Sequence, residues 1–364
     1  MSVHLSIAPK PDAPLLPPYP RGWYVIAESS DLRPGDVKTV KAFGREVVVF
    51  RTDDGEAHVV NAHCPHLGAH LGHGGRVCGD RLRCPFHGWE FEGRSGKCVK
   101  LASGDPVPAK AELRRWTVDE RYGLVLVWFH DEGEPPTWTV EFEDMESSWS
   151  DWSTHTWEFK ARIQDVGEND ADIAHSPVMH GLTGHLPKLE MQTDGPVCDW
   201  RMDVEMDRWA FGLPNLPGRL YDALRVPKSV GTVINVRRSG FSLGLIHART
   251  SLPGGFELNV QTLCSTTPID ADHVRSVARH RTLRTPLRPL TRIIRYRFAK
   301  TFNTTFEEDV EIWKHKVYRV RPIASKSDWA VLKFRRWAKQ FYAEGVYESA
   351  LAREEAMRRE GTLP

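Results

Sequence analysis

Cysteine, surplus charge of one sign and long apolar runs are all scarce in this sequence. Its 364 residues include 6 Cys, too few for a disulfide scaffold but enough for a metal site. The 49 Lys and Arg nearly balance 48 Asp and Glu, and the formal net charge is +1. The whole chain therefore offers no basic excess for nucleic acid or an anionic membrane. The longest apolar runs, 47–50 and 124–129, fall far short of the roughly 18 residues of a membrane-spanning helix.

The first twenty residues lack the basic and apolar stretches of a secretion signal. They contain six Pro residues instead, which predicts an extended Pro-rich arm over 1–20. With no signal and no predicted membrane span, the expected location is cytoplasmic. The whole chain is 40% hydrophobic and 27% charged, as in a folded globular protein long enough for two domains.

Residues 21–138 consist of short β-like runs separated by turn residues, which predicts a small antiparallel β domain. The predicted strands are 23–26, 37–43, 46–51, 58–61 and 124–129. A Pro pair at 135–136 continues neither a helix nor a central strand. We therefore place a domain boundary near residue 138.

Residues 139–364 mix both element types. Alternating runs predict strands at 156–163, 197–207, 232–238, 241–249, 257–266 and 274–282. Helices are predicted at 164–174, 306–317 and 328–359, the last with a break at Gly345. The expected fold class is α+β, with an all-β domain followed by a domain that has an antiparallel sheet and flanking helices.

Two short loops each offer one Cys and one His, in the patterns Cys-Pro-His and Cys-Pro-Phe-His. The four candidate ligands are Cys64, His66, Cys84 and His87. A Rieske [2Fe-2S] centre needs this set, because two Cys hold one iron and two His hold the other. Gly68 and Gly88 follow the ligands and let backbone amides approach the sulfurs. A Cys₂His₂ zinc site is the alternative, although its two His are usually carried on a helix.

A second group of candidate metal ligands begins in the predicted helix at 164–174. Asp172 and His175 are three residues apart, so the carboxylate can orient the imidazole on one helix face. His180 follows five residues later, and positions five apart on a straight helix diverge by about 140°. Pro177 is therefore predicted to bend the chain and bring the two His together. Two His and one carboxylate are typical of non-haem Fe(II) oxygenases.

The carboxylate that completes this group must come from elsewhere in the chain. Asp165, Glu168 and Asp170 lie nearby, but their spacing shows no clear convergence. Asp309 stands beside an apolar helix face formed by residues 306, 310 and 313. Asp309 is either an inward-facing metal ligand or one of the acids that commonly stand at the start of a helix. Glu308, its neighbour, is the alternative third ligand.

Over nearly its whole length the sequence resembles the oxygenase α subunits of Rieske non-haem iron oxygenases. The stretch Asn169-x-x-Asp172-x-x-His175-x₄-His180 and the acidic motif around Asp309 carry this resemblance, together with the two Cys-His loops. It implies a Rieske domain over 21–138 and a helix-grip catalytic domain over 139–364. By the same resemblance, the four loop residues hold a [2Fe-2S] cluster, and His175, His180 and Asp309 hold a mononuclear iron.

The resemblance also implies catalytic roles for Asn169 and Asp172. In the trimers of this family, the Asp links a cluster His of one subunit to an iron-ligand His of the next and carries the electron between them. His66 or His87 would be the donor side and His175 the acceptor side. A homotrimer is therefore expected.

Four stretches, at 64–69, 74–79, 84–89 and 120–128, are similar to the sterol and steroid branch of the family. This branch contains cholesterol 7-desaturases and 3-ketosteroid 9α-hydroxylase oxygenases. It implies O₂ as co-substrate, electrons from an NAD(P)H-dependent, ferredoxin-type flavoprotein reductase, and hydroxylation or desaturation of an apolar sterol-like molecule. The animal desaturases carry a membrane anchor, which is not expected here.

Three other functions remain open at this stage. One is a Rieske monooxygenase that acts on another apolar ring. The second is a Rieske electron carrier, which would need only the first ~120 residues. The third combines structural zinc with a hydrolytic metal site.

Overall fold

The computed structural model describes residues 15–143, 148–180, 188–207, 229–252 and 255–363. Most of the arm predicted at 1–20 lies outside these ranges. Within the part that is described, Leu16 is 2% exposed and belongs to the main hydrophobic core. This end of the arm is therefore anchored to the folded protein.

The N-terminal part is built from short antiparallel strands. They are β1 (Gly22–Glu28), β2 (Val37–Ala42), β3 (Arg45–Arg51), β4 (Ala57–Asn61), β5 (Arg76–Cys78), β6 (Arg81–Arg83), β7 (Glu90–Glu92), β8 (Cys98–Lys100), β9 (Val118–Arg121) and β10 (Leu124–Phe129). They form the sheets β1-β10-β9, β2-β3-β4 and β5-β6-β7-β8. All five strands predicted here are confirmed. Strands β5 to β9 were missed because three or four residues are too few for alternation to be read.

The C-terminal part contains a large antiparallel sheet and helices. Its strands are β11 (Ser153–Lys160), β12 (Lys188–Asp194), β13 (Val197–Asp207), β14 (Ser229–Ser239), β15 (Leu243–Leu252), β16 (Phe256–Pro268) and β17 (His273–Thr282). The order across the sheet is β11-β17-β16-β15-β14-β13-β12. The helices are α1 (Ile163–Glu168), α2 (Ser176–Met179), α3 (Arg288–Trp313), α4 (Trp329–Ala338) and α5 (Val346–Arg359). Helix α3 packs against β11 and β17, and the predicted α+β class is confirmed.

The helix predicted over 164–174 is wrong in its second half. Helix α1 ends at Glu168, a single 3₁₀ turn follows, and Asp172 leaves the helical region with φ −86° and ψ 78°. Asp172 and His175 therefore do not share a helix face. Pro177 is not the break either, because it lies in the first turn of α2, where a missing N–H is tolerated. The short polar side chains of Asn169, Asp170 and Asp172 favour this break, since such residues compete with helical hydrogen bonding.

The other two predicted helices differ from the structure mainly in length. Helix α3 begins at Arg288, eighteen residues before the predicted start, and ends at Trp313. Its first half carries Pro289 and intersperses Arg with apolar residues, which breaks the i, i+3, i+4, i+7 pattern of a buried helix face, so periodicity did not indicate it. The helix predicted over 328–359 divides into α4 and α5. The break at Gly345 is confirmed, and that residue adopts φ +78°.

The two parts of the chain share one packed interior. The largest buried apolar cluster contains residues from both the β1–β10 region and the C-terminal helices. The Thr267 hydroxyl donates a hydrogen bond to the Val25 carbonyl at 2.8 Å. Trp138 lies between the two parts: its carbonyl accepts from the Trp23 indole at 2.8 Å, and its own ring lies over Gly240. The boundary near 138 thus falls at a packed junction.

Candidate metal centres

The two Cys-His loops have the same backbone turn. The carbonyl of Cys64 accepts from the Gly68 amide at 3.0 Å, and the carbonyl of Cys84 accepts from the Gly88 amide at 3.2 Å. Both glycines have positive φ, at 77° and 66°, where a side chain would be strained. This requirement explains why glycine stands four residues after each Cys.

The four candidate cluster ligands form two layers. Cys64 and Cys84 are each 3% exposed, whereas His66 and His87 lie at the surface with ring centroids 4.7 Å apart. Trp89 stacks on the His66 ring at 4.3 Å and supports it. Two buried sulfurs beneath two accessible imidazoles suit a cluster whose inner iron is held by Cys and whose outer iron is held by His.

The Cys64 thiol lies in an environment that disfavours an isolated negative charge. Burial raises its pKa to about 11, the neighbouring Cys84 adds to the increase, and the His66 amide opposes it. A thiolate here therefore needs a compensating cation. Iron bound at these sulfurs would supply that positive charge, so the residues fit a [2Fe-2S] group.

The second site brings together His175, His180 and Asp309. The His175 Nε2 lies 3.6 Å from Asp309 Oδ1, and the His180 Nε2 lies 3.2 Å from the same oxygen. Candidate ligand atoms of the three residues all lie within 4.8 Å of one another. Asn169 Nδ2 donates to the other Asp309 oxygen at 3.0 Å. Two imidazoles and one carboxylate facing a common point fit a non-haem iron.

The far nitrogen of each imidazole faces a second carboxylate. His180 Nδ1 lies 2.8 Å from Glu308 Oε2, and His175 Nδ1 lies 3.7 Å from Asp172 Oδ2. Hydrogen bonds to Asp309 and then to Glu308 raise the pKa of His180. The nearby His175 lowers the pKa of Asp172. The contact of His180 Nδ1 with Glu308 leaves Nε2 as the metal-binding atom of that ring, and in both imidazoles Nε2 is the atom that faces Asp309.

The remaining nearby acids have other partners. Asp165 lies 2.9 Å from Lys316 Nζ, and Glu168 accepts from the Arg335 guanidinium at 2.7 Å. Asp165 is therefore held in an ion pair with Lys316, and Glu308 contacts His180 Nδ1 rather than the nitrogen that faces Asp309. Neither acid is placed as the third ligand. The contacts of Glu308 and Asn169 are not visible in the sequence, because their partners are more than 120 residues away.

A cavity of about 260 Å³ adjoins these three residues. Its lining includes the apolar side chains Trp157, Val166, Met202, Ile234, Ile246 and Phe306. The buried guanidinium of Arg238 also lines it and pairs with Asp170 at 2.5 Å. Polar residues such as Ser242, Thr266 and Thr305 also line it, but most of its surface is apolar. Such a surface favours an apolar ligand, and the candidate iron ligands form one part of the wall.

Two protein families match this chain. Residues 22–111 match the Rieske [2Fe-2S] domain, which contains all four loop ligands. Residues 127–342 match the 3-ketosteroid 9alpha-hydroxylase C-terminal domain, which contains His175, His180 and Asp309. The electron-carrier and zinc alternatives leave this second match without an explanation.

Curated relatives are similar along most of the chain. Cholesterol 7-desaturase nvd of Hemicentrotus pulcherrimus is 34% identical over 349 residues, which cover 90% of this chain and 71% of that protein. The 3-ketosteroid-9-alpha-monooxygenase oxygenase component of Rhodococcus rhodochrous is 28% identical over 343 residues, covering 90% of this chain and 82% of that protein. The names of these two relatives give cholesterol and a 3-ketosteroid as the molecules on which they act.

Solved structures share the fold at low sequence identity. Dicamba monooxygenase bound to dicamba aligns with a TM-score of 0.67 and 18% identity over 88% of this chain and 96% of that one. NdmA of Pseudomonas putida CBB5 with caffeine aligns with a TM-score of 0.66 and 19% identity over 90% and 94%. In the ranges that the structure describes, no helix is long and apolar enough to cross a membrane.

Proposed function

Because this chain belongs to the Rieske non-haem iron oxygenases with a C-terminal domain of the 3-ketosteroid 9α-hydroxylase family, we propose that it hydroxylates or desaturates a sterol or steroid. It uses O₂, a [2Fe-2S] cluster and a mononuclear iron, and it depends on a reductase for electrons. The observation that carries the proposal is the convergence of His175, His180 and Asp309 on an apolar cavity. An apolar substrate and an oxygen-activating metal would meet at that wall.

We assign the two metal groups to separate parts of the chain. The cluster ligands are Cys64, His66, Cys84 and His87, and the iron ligands are His175, His180 and Asp309. The corresponding domains would span 21–138 and 139–364. When bound, the mononuclear iron supplies reductive activation of O₂, with electrons delivered through the cluster.

The protein contributes orientation and exclusion of water at this site. Asn169 and the two Nε2 atoms fix the Asp309 carboxylate, and Glu308 holds the His180 ring from behind. The cavity walls at Trp157 and Phe306 exclude water and hold a flat apolar molecule beside the iron ligands. Whether hydroxylation or desaturation follows would depend on the position of the attacked carbon.

We further propose a homotrimer in which electrons cross between subunits. His66 and His87 are exposed and flanked by Leu67 and Phe86, which are 66% and 64% exposed. Exposed apolar residues around the two candidate cluster ligands favour burial of this surface against another subunit. The Asp172 side chain is 41% exposed beside His175, so it can receive a cluster His from a neighbouring subunit.

Asp172→Asn tests this route. The change removes the negative charge between the donor His and His175. We expect product formation to fall about hundredfold, the upper end of the loss seen when a hydrogen-bond partner of a metal ligand is mutated. Reduction of the cluster by the reductase should remain normal, while reoxidation of the reduced cluster with substrate and O₂ should slow, as measured by stopped-flow absorption. Asp203→Asn, an exposed carboxylate on β13, is the control. A parental rate with both metals loaded would contradict the bridge.

The substrate class is tested by mass spectrometry of products. The purified enzyme, a surrogate ferredoxin-type reductase and NADH are incubated separately with cholesterol and with a 3-ketosteroid. We expect one of them to gain an oxygen atom or lose two hydrogen atoms. If neither is converted while another apolar ring compound is, the steroid assignment is wrong and the oxygenase assignment stands. Electron transfer to an external acceptor without conversion of any substrate would indicate the electron carrier.

A further inference from the structure

The start of α3 presents an exposed apolar ridge. Leu287, Leu290, Ile293 and Tyr296 are 65%, 44%, 51% and 62% exposed. Positions three apart are neighbours on a helix surface, so Leu290, Ile293 and Tyr296 follow one another along α3, and Leu287 directly precedes the helix. Single exposed apolar residues are common on proteins, but a contiguous row indicates an interaction surface. We call residues 284–300 the α3 ridge.

The α3 ridge is also strongly basic. Its positive residues are Arg284, Arg288, Arg292, Arg295, Arg297 and Lys300, and no Asp or Glu occurs from 284 to 306. Among the ion pairs of the described residues, one involves this segment, between Arg284 and Asp151 at 3.9 Å. The net charge of the whole chain, +1, therefore conceals a local positive surface.

Basic side chains interspersed with exposed apolar ones are complementary to a membrane surface. The apolar row can enter the boundary between headgroups and acyl chains, while guanidinium groups bind lipid phosphates. A neutral protein partner would not require six positive charges, and a purely electrostatic partner would not require the apolar row. We propose that the α3 ridge docks this protein on bilayers that contain anionic phospholipids.

The same helix joins the α3 ridge to the candidate active site. Phe302 and Phe306 line the cavity, and Asp309 follows them on α3. At 1.5 Å per residue, Phe302 lies only about 9 Å along the helix from Tyr296. Docking would thus place the cavity near the bilayer in which a sterol dissolves. This consequence for substrate supply rests on the proposed function, whereas the docking itself does not.

Vesicle co-sedimentation of the full-length, metal-loaded protein tests the docking. Vesicles of phosphatidylcholine alone are compared with vesicles that contain about 30 mol% phosphatidylglycerol. We expect sedimentation with the anionic vesicles, little with the neutral ones, and release in about 1 M NaCl, where the screening length is about 3 Å. Equal binding to both vesicles, or binding to neither, would overturn the proposal.

Paired variants separate the α3 ridge from general surface charge and apolarity. Arg288→Glu/Arg292→Glu should weaken binding to anionic vesicles by about tenfold or more. Arg358→Glu/Arg359→Glu changes the charge equally on the exposed last turn of α5 and should leave binding within about twofold. Leu290→Ser/Ile293→Ser should weaken binding, whereas Ile323→Ser, at a residue 97% exposed elsewhere, should not. Equal losses in test and control variants would contradict the assignment.

Two further measurements keep this result independent of the substrate question. The visible spectrum and thermal melting of each variant report whether it folds and carries its cluster. Turnover of a steroid supplied in cyclodextrin bypasses the bilayer, so it should be unchanged in the α3 ridge variants. Loss of vesicle binding with retained cyclodextrin turnover supports the proposal. Vesicle binding without any steroid turnover would refute the proposed function and leave the docking intact.

Discussion

Asp309→Ala should reduce product formation at least about thousandfold while the visible spectrum of the cluster stays unchanged. The Asp309 carboxylate faces both His Nε2 atoms and is 6% exposed. Its removal leaves two imidazoles, which are too few to retain the iron. Metal-assisted chemistry contributes several kcal/mol of stabilisation, and each 1.36 kcal/mol is a factor of ten in rate. Iron analysis should show the cluster iron alone, with the mononuclear iron absent.

The matched control is Glu311→Ala, which removes an acid that is 64% exposed on the same helix. It should retain both iron and activity, so a loss confined to Asp309→Ala reports the site itself rather than helix stability. If Asp309→Ala keeps its mononuclear iron and turns over normally, the ligand assignment is wrong. Glu308→Ala would then be the next variant to measure, because Glu308 is the neighbouring acid at His180.

Cys84→Ala should abolish the cluster and all product formation. Cys84 is 3% exposed beneath the two exposed imidazoles, and a methyl group cannot replace a thiolate ligand. The purified variant should lose the visible absorption and the electron paramagnetic resonance signal of the reduced cluster. Turnover should stop although the mononuclear iron remains bound, because electrons no longer reach it through the Rieske domain.

Cys78→Ala is the control for this change, since Cys78 is half-buried on β5 and shows no ligand spacing. It should keep the cluster signal and the activity. A parental protein that is colourless and contains zinc would show that the Cys-His loops hold zinc instead. The same outcome would remove the basis for electron delivery to the second site.

Local spacing made much of this protein predictable. Each Cys-His loop is one continuous stretch of sequence, so its turn, its glycine and its ligand types could be predicted directly. The structure shows the same turn in both loops. Long alternating strands such as β13 and β14 were equally readable, because each buries one face along its length. Three-residue strands and the Arg-rich start of α3 carry no such periodic signal.

Distance along the chain limited what could be predicted at the second site. Asp309 was one of several plausible acids until the fold placed it beside His175 and His180, more than 120 residues away in sequence. The chain also leaves the first helix at a different place than the sequence suggested. The break occurs at Asp172, before both imidazoles, and His175 and His180 then flank the single turn of α2, which contains Pro177.

The net charge of the whole chain also concealed a local positive surface. Summed over the chain, +1 indicates no affinity for an anionic surface. The structure shows that Arg284 and the positive residues from 288 to 300 lie just before and along the start of helix α3, beside exposed apolar residues. Electrostatic attraction depends on the charges within a screening length of about 10 Å, so their arrangement matters more than their total.

The sequence alone determined the fold class, the two groups of metal-binding residue types and the family, since these depend on short motifs and on periodic burial. Only the tertiary structure decided which carboxylate faces the two imidazoles, which acids serve ion pairs instead, and where exposed charge and apolar surface coincide. The physical reason is that metal coordination and surface complementarity require side chains to meet in space within a few ångströms. Residues far apart in sequence meet at such distances only when the whole sheet and helix α3 have packed.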